Sequence, residues 1–153
     1  EKEAIDKVQN AIKVDPKNSN LYAVLGSLYD KSGKQDLAVG AYQQAIDADP
    51  TNFDAQFNLG VYQFNRGADL RNKYNKLSLA DAKKPTGAKM EADSKLYFSK
   101  SIPYFEAALK LRDCDKSALK SLESAYVALK KNDEAMKVAT RSDECAKQAP
   151  AKK

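Results

Sequence analysis

Apolar residues return every three or four positions along nearly the whole chain, with polar and charged residues between them. That spacing is the signature of amphipathic helices. The stripes break at Pro16, Gly33, Pro50 and the "KKPTG" stretch around Pro85, residues that stop or turn helices. The pattern predicts an all-α chain of about seven helices near 1–14, 19–32, 35–48, 53–80, 88–112, 115–130 and 133–148. The expected core includes Leu25, Tyr29, Ala38, Tyr42, Ala45, Leu59, Phe105, Ala108, Leu122 and Tyr126.

The stripes also repeat among themselves. Pro16 and Pro50 are 34 residues apart, as are Ala4 and Ala38, Ala11 and Ala45, and Leu25-Gly26 and Leu59-Gly60. Within residues 19–52 the order is Tyr22, Leu25, Gly26, Tyr29, Ala38, Tyr42, Ala45, Pro50. Small residues at Gly26, Ala38 and Ala45 let two antiparallel helices approach. The tyrosines and Leu25 fill the space around them, Gly33 permits a tight turn and Pro50 closes the second helix. One such pair cannot bury its own apolar faces, so pairs stack.

This order of residues resembles the tetratricopeptide repeat, with Tyr22 where a Trp is usual. The resemblance implies a single domain over 1–153, an α-solenoid of antiparallel helix pairs. Residues 1–18 would form a partial repeat holding only a second helix, 19–52 a full repeat, 53–115 a repeat with an insertion, and 116–149 a degenerate repeat. In the last, Glu123 stands where Gly is usual, and Asp113 replaces the closing Pro of the unit before it.

The insertion is located by two landmarks. From Ala38 to Ser101 is 63 residues, and from Leu59 to Leu122 is again 63, so 29 residues have been added to one 34-residue repeat. Helical spacing survives on both sides, through Leu70, Tyr74 and Leu77 and through Met90, Tyr97, Ser101, Phe105 and Ala108. Both helices of the repeat are therefore expected to be lengthened by about four turns each and to form an extended hairpin. Gly67 would lie inside a continuous helix, and Pro103 is expected to kink the second one. Exported repeat proteins of the Bacteroidetes resemble this chain in having a lengthened repeat. That likeness tilts localisation toward a bacterial cell envelope or periplasm, with the cytoplasm left open. The chain opens inside a helical pattern, so a segment upstream is expected.

Composition changes the picture mainly by exclusion. The 153 residues are 42% apolar and 31% charged and contain no histidine. The commonest general base, the usual triads and most zinc sites are thereby removed. No phosphate loop or nucleophile–base pair appears, so no enzyme, cofactor or metal site is expected. Cys114 and Cys145 are 31 residues apart, form no CxxC pair and read as two small helix-end residues rather than a disulfide framework. The net charge of +5 is concentrated. Residues 66–100 hold nine basic and four acidic residues and so carry the entire excess.

The family resemblance implies a non-catalytic scaffold that binds a peptide or helix of a partner protein on its first helices. Counting along those helices, the groove would be lined by Asn20, Ala23, Val24, Ser27, Asp54, Phe57, Asn58, Val61, Phe64, Ser117, Lys120 and Val127. Family members that clamp acidic chaperone tails carry a Lys and an Asn on the first helix, an Asn on the next and two basic residues on the third. Here those places hold Ala23, Ser27, Asn58, Ser117 and Ser121, and only Asn58 fits. The second expectation is a basic helical arm, with Arg71, Lys73, Lys76, Lys83 and Lys84 pointing outward toward an acidic surface, either nucleic acid or an anionic membrane. Nucleic acid is disfavoured, because Tyr74 and Tyr97 sit at core spacing, and lysines on an exposed helix are commonly a solvated face. The first helix lacks its partner, so Ile5, Val8 and Ile12 are expected to leave an apolar strip through which the chain self-associates.

Overall fold

The computed structural model describes residues 2–148; residue 1 of the first expected helix lies outside them. Among the described residues there is no strand, and eight helices follow one another. They are α1 (Lys2–Val14), α2 (Ser19–Lys31), α3 (Gln35–Ala48), α4 (Phe53–Asn75), α5 (Leu79–Ala82), α6 (Pro85–Leu111), α7 (Lys116–Ala128) and α8 (Asn132–Gln148). None is long and apolar enough to cross a membrane. The chain forms two compact units, Glu1–Leu59 and Gly60–Lys153.

In the first unit α2 and α3 pair closely because Gly26 has no side chain. A Cβ there would lie 2.6 Å from the ring of Tyr42, so the ring occupies the place a methyl group would need. Ala38, Ala41 and Ala45 are buried on the same helix as Tyr42. At the end of α2, Gly33 takes a φ of 70°. The Gly33 and Lys34 amides donate back to the carbonyls of Asp30 and Tyr29, both at 2.9 Å, the Schellman closure that a residue without a side chain permits. α1 lays Ile5 against Leu25 and Ala41, with Val8, Ile12, Leu28 and Tyr29 packed around them. Of the strip expected on α1, Ile5 is buried by these contacts, while Val8 and Ile12 are half-buried.

Asn52 opens α4. Its side-chain oxygen accepts from the Ala55 amide at 3.0 Å, as an N-cap does. Its side-chain amide donates to Ser19 Oγ and Asn20 Oδ1, each at 3.0 Å, and Asn52 is only 5% exposed.

In the second unit the lengthened helices pack together. α4 has 23 residues against 13 in α2, and α6 has 27 against 14 in α3. The additions amount to roughly 15 and 20 Å at 1.5 Å per residue. The single helix expected over 53–80 ends at Asn75 instead. Ser78 caps a separate short helix, α5, by accepting from the Asp81 amide at 3.1 Å while its hydroxyl donates to Asp81 Oδ2 at 2.7 Å. This local bonding competes with a continuing helix. α6 begins at Pro85, three residues earlier than expected, because a proline suits the first helical position. Pro103 lies within α6 without ending it.

The cysteines depart from expectation. Cys114, in the α6–α7 connection, is disulfide-bonded to Cys145 of α8, with Cα atoms 5.5 Å apart. The physical reason is the hairpin itself. α7 and α8 run out and back, so the end of α8 returns beside the start of α7, and a separation of 31 residues is nearly one repeat. Arg141 adds a second tie in the same place, donating to the carbonyl oxygen of Asp113 at 3.1 Å and to its carboxylate.

Candidate functional site

The first-helix residues expected to form a groove divide into several kinds. On α2, Asn20 is exposed but already accepts from Asn52, and Val24 is 48% exposed. Ala23 is buried and belongs to the core rather than to a surface. Ser27 is half-buried and bonds to Tyr42, whose hydroxyl pKa is pushed up to about 12, mainly by burial and then by the charge of Asp30. At the start of α4, Asp54 is exposed and Asn58 half-buried. Phe57 stacks on Phe53 with ring centres 5.9 Å apart and planes within 5°. The first unit thus presents Val24 on α2 and an aromatic pair on α4, the two helix starts being tied by Asn52.

In the second unit Val61 is half-buried, Lys120 and Ser117 are exposed, and Val127 is 55% exposed. Phe64 is committed elsewhere. It lies 5.1 Å from Phe98 of α6 at a 59° tilt, so it closes the hairpin rather than a groove. The same α4–α6 seam explains Gly60 and Gly67. A Cβ on Gly60 would come 2.6 Å from Phe105, and one on Gly67 would come 3.0 Å from both Phe98 and the Ser94 carbonyl oxygen. Ser94 and Ser101 are fully buried, their hydroxyls donating to Gly67 O at 2.9 Å and Phe98 O at 2.7 Å. The seam therefore runs through Ser94, Phe98, Ser101, Phe105 and Ala108. Sequence spacing had placed Tyr97 there. Tyr97 is instead half-buried between two cations, Arg66 at 5.7 Å and Lys100 at 5.6 Å from its ring centre, an arrangement that suits an aromatic at the edge of a seam.

The basic arm is less uniform than its composition. Lys73, Lys76 and Lys83 are exposed, as is Leu79 at 75%. Lys84 is exposed but paired with Asp81 at 2.6 Å, and Lys89 and Lys95 pair with Asp93 and Glu91. Arg71 departs from its expected outward direction. Its guanidinium lies 5.4 Å over the Phe98 ring, and its Nη2 donates to the Ala128 carbonyl oxygen at 3.4 Å. Residue 71 sits on the seam side of α4, four positions beyond Gly67, so helical geometry turns it toward α6 and the end of α7.

Comparison with known proteins agrees with this geometry. A family model described as TPR repeat matches residues 26–67. The small glutamine-rich tetratricopeptide repeat-containing protein 2 of Mycosarcoma maydis is 43% identical over 49 residues, which is 32% of this chain and 14% of that protein. Among solved structures, the crystal structure of MamA protein superposes with a TM-score of 0.67 at 21% identity, covering 99% of this chain and 69% of that one. A second MamA structure, MamA AMB-1, superposes with a TM-score of 0.61 at 22% identity, covering 96% of this chain and 64% of that one. At these identities the superpositions establish the fold, an all-α arrangement of antiparallel helix pairs of the α-solenoid type.

Proposed function

Because the chain is a tetratricopeptide-repeat protein, we propose that it is a non-catalytic scaffold holding a peptide or helix of a partner protein on its first-helix faces. The observation that carries this reading is the surface of the first unit. Val24 remains 48% exposed on α2, and the stacked Phe53–Phe57 pair lies on α4. An exposed valine and a half-buried aromatic pair, with the polar residues Asn20, Asp54 and Asn58 on the same helices, supply the apolar centre and polar edge that peptide grooves use. In the second unit Val61 and Lys120 stand as further contact candidates. The Cys114–Cys145 bond supports a compartment that preserves disulfides, outside a reducing cytosol. The test is a partner captured from native extract by the wild-type chain and by Val24→Asp, a surface change that leaves the circular dichroism spectrum unaltered. Loss of the partner at constant fold supports the reading; undiminished capture would overturn it.

A second reading concerns the hairpin tip, where Leu79 protrudes among Lys73, Lys76 and Lys83. These charges favour an acidic surface, an anionic membrane before nucleic acid. Such attraction is screened over about 8 Å at physiological salt. Binding through the tip should therefore fall steeply with salt and with Lys73→Gln, Lys76→Gln and Lys83→Gln together, whereas binding through Val24 and Phe57 should not. Self-association through α1, where Val8 and Ile12 are half-buried, stays within this proposal.

A further inference from the structure

Two departures from local rules meet in one cleft beside the hairpin. The first is Lys130. α7 ends in the same closure as α2, with the Lys130 and Lys131 amides donating to the carbonyls of Val127 and Tyr126, both at 2.9 Å. Where α2 uses Gly33, this closure forces a lysine to a φ of 60°, a conformation that glycine adopts without steric cost and lysine does not. The second is Arg71. Its Nε is buried with no hydrogen-bond acceptor, although buried donors are almost always paired. Both residues line the same cleft of about 470 Å³, a size that suits a small ligand or the end of a larger one.

Capping of α7 does not account for the lysine. The carbonyls of Ala125, Tyr126 and Val127 already accept backbone amides, and that of Ala128 accepts Arg71. The lysine ammonium is therefore not needed to close the helix. Glu91, the acidic residue on the cleft wall, is held by Lys95 at 2.6 Å. Arg71, Lys95 and Lys130 against one carboxylate leave the cleft with a surplus of two positive charges. Most of its wall, including Arg71, Tyr74, Asn75, Glu91 and Lys95, comes from the lengthened part of the repeat and the rest from the end of α7.

We propose that this cleft is an oxyanion site: Arg71 and Lys130 take one carboxylate or phosphate group, and the lengthened repeat exists in part to build it. The Nη N–H groups of Arg71 not engaged with the Ala128 carbonyl oxygen offer directed donors that match either group, and the lysine adds a charge where glycine would be the easier residue. The site is separate from the Val24–Phe57 surface, so failure of one reading does not decide the other.

The experiment is a titration of the whole chain at low salt, followed by amide chemical shifts. The probes are inorganic phosphate, a short peptide with a free C-terminal carboxylate and the same peptide as its amide. Saturable shifts around Arg71 and Lys130 are expected. A response to phosphate alone assigns the site to a phosphate group, and a response to the acid peptide but not its amide assigns it to a partner's carboxylate. Arg71→Lys, which keeps the charge but loses the directed donors, should weaken binding about tenfold. Lys130→Gly should weaken it severalfold while raising the melting temperature, a combination that a purely structural lysine would not give. Absence of saturable binding to any probe would overturn the proposal, as would unchanged affinity in both variants. Equal weakening by Lys83→Gln at the hairpin tip would also overturn it, by showing attraction to the positive surface in general.

Discussion

The α2–α3 pair of the first unit and the α4–α6 pair of the second are built on one contact used differently. Gly26 receives Tyr42, and Gly60 receives Phe105, each ring 2.6 Å from where a Cβ would stand. The glycines are 34 residues apart and the rings 63, the difference being the insertion. In the longer pair the contact recurs one heptad outward in looser form, Gly67 facing Phe98 at 3.0 Å. Lengthening a close-packed helix pair thus needs more than extra helical residues. It needs another place where the backbones can approach, and the small residues Gly67 and Ser94 supply it. The bonds between successive pairs repeat as well. Gln9 donates to the Tyr29 hydroxyl in the first unit and the Tyr126 hydroxyl donates to Glu106 in the second, both at 2.9 Å and 97 positions apart. The two units part company at the turn, Gly33 against Lys130, and at the disulfide, which only the second contains.

The largest effect should come from the shared ring. Phe105→Ala removes a fully buried side chain and should cost about 3–5 kcal/mol in urea unfolding. A much smaller loss would mean that the seam relaxes around the gap and that the two pairs are not equivalent. Next, Cys145→Ser should cost about 2–4 kcal/mol. Hydrogen exchange should rise in α8 while α2 and α3 keep their protection; equal loosening of the first unit would break the distinction between them. Gly60→Ala should then cost about 1–3 kcal/mol by overpacking. Gly67→Ala should cost less, because a 3.0 Å contact needs only a small shift and alanine regains about 1 kcal/mol of helix propensity. If Gly67→Ala proves the worse of the two, the outer contact is the tighter one.

A reciprocal exchange sharpens the turn comparison. Lys130→Gly should stabilise by about 1 kcal/mol and Gly33→Lys should destabilise by a similar amount, as read from melting temperatures. The smallest expected effect is alkaline. Burial followed by a bond to Glu106 pushes the Tyr126 pKa up to about 12, as burial does for Tyr42. An unfolded tyrosine ionises near 10, so stability should begin to fall above that pH and continue to fall until about 12. Tyr126→Phe should flatten that decline for the second unit and Tyr42→Phe for the first.

Much of this was legible in the sequence because periodicity reports burial directly. The 34-residue spacing located the pairs, and the 63-residue offsets located the insertion. Leu25, Tyr42, Leu59, Phe105 and Leu122 all lie in the core as expected, with Tyr29 and Tyr126 half-buried. The groove residues were less legible. A helix face predicts direction but not neighbours, and Phe64 finds Phe98 while Ala23 goes inward. Asn52 was missed altogether, although an Asn three residues before Ala55 at the head of an apolar stripe is an N-cap signal.

The sequence by itself determined the class of fold, the number of helix pairs and the place where one pair grows, because these follow from short-range spacing of apolar, small and turn-forming residues. Only the tertiary structure decided which face of each lengthened helix meets the other, burying Phe98 and leaving Tyr97 half-buried at the edge, since adjacent residues on a helix differ by 100° and the chain does not record its partner's position. The structure likewise joined Cys114 to Cys145 and brought Arg71 beside Lys130. Each of those pairs lies far apart along the chain, and what brings its members together is the return of an antiparallel helix or the end of a neighbouring one.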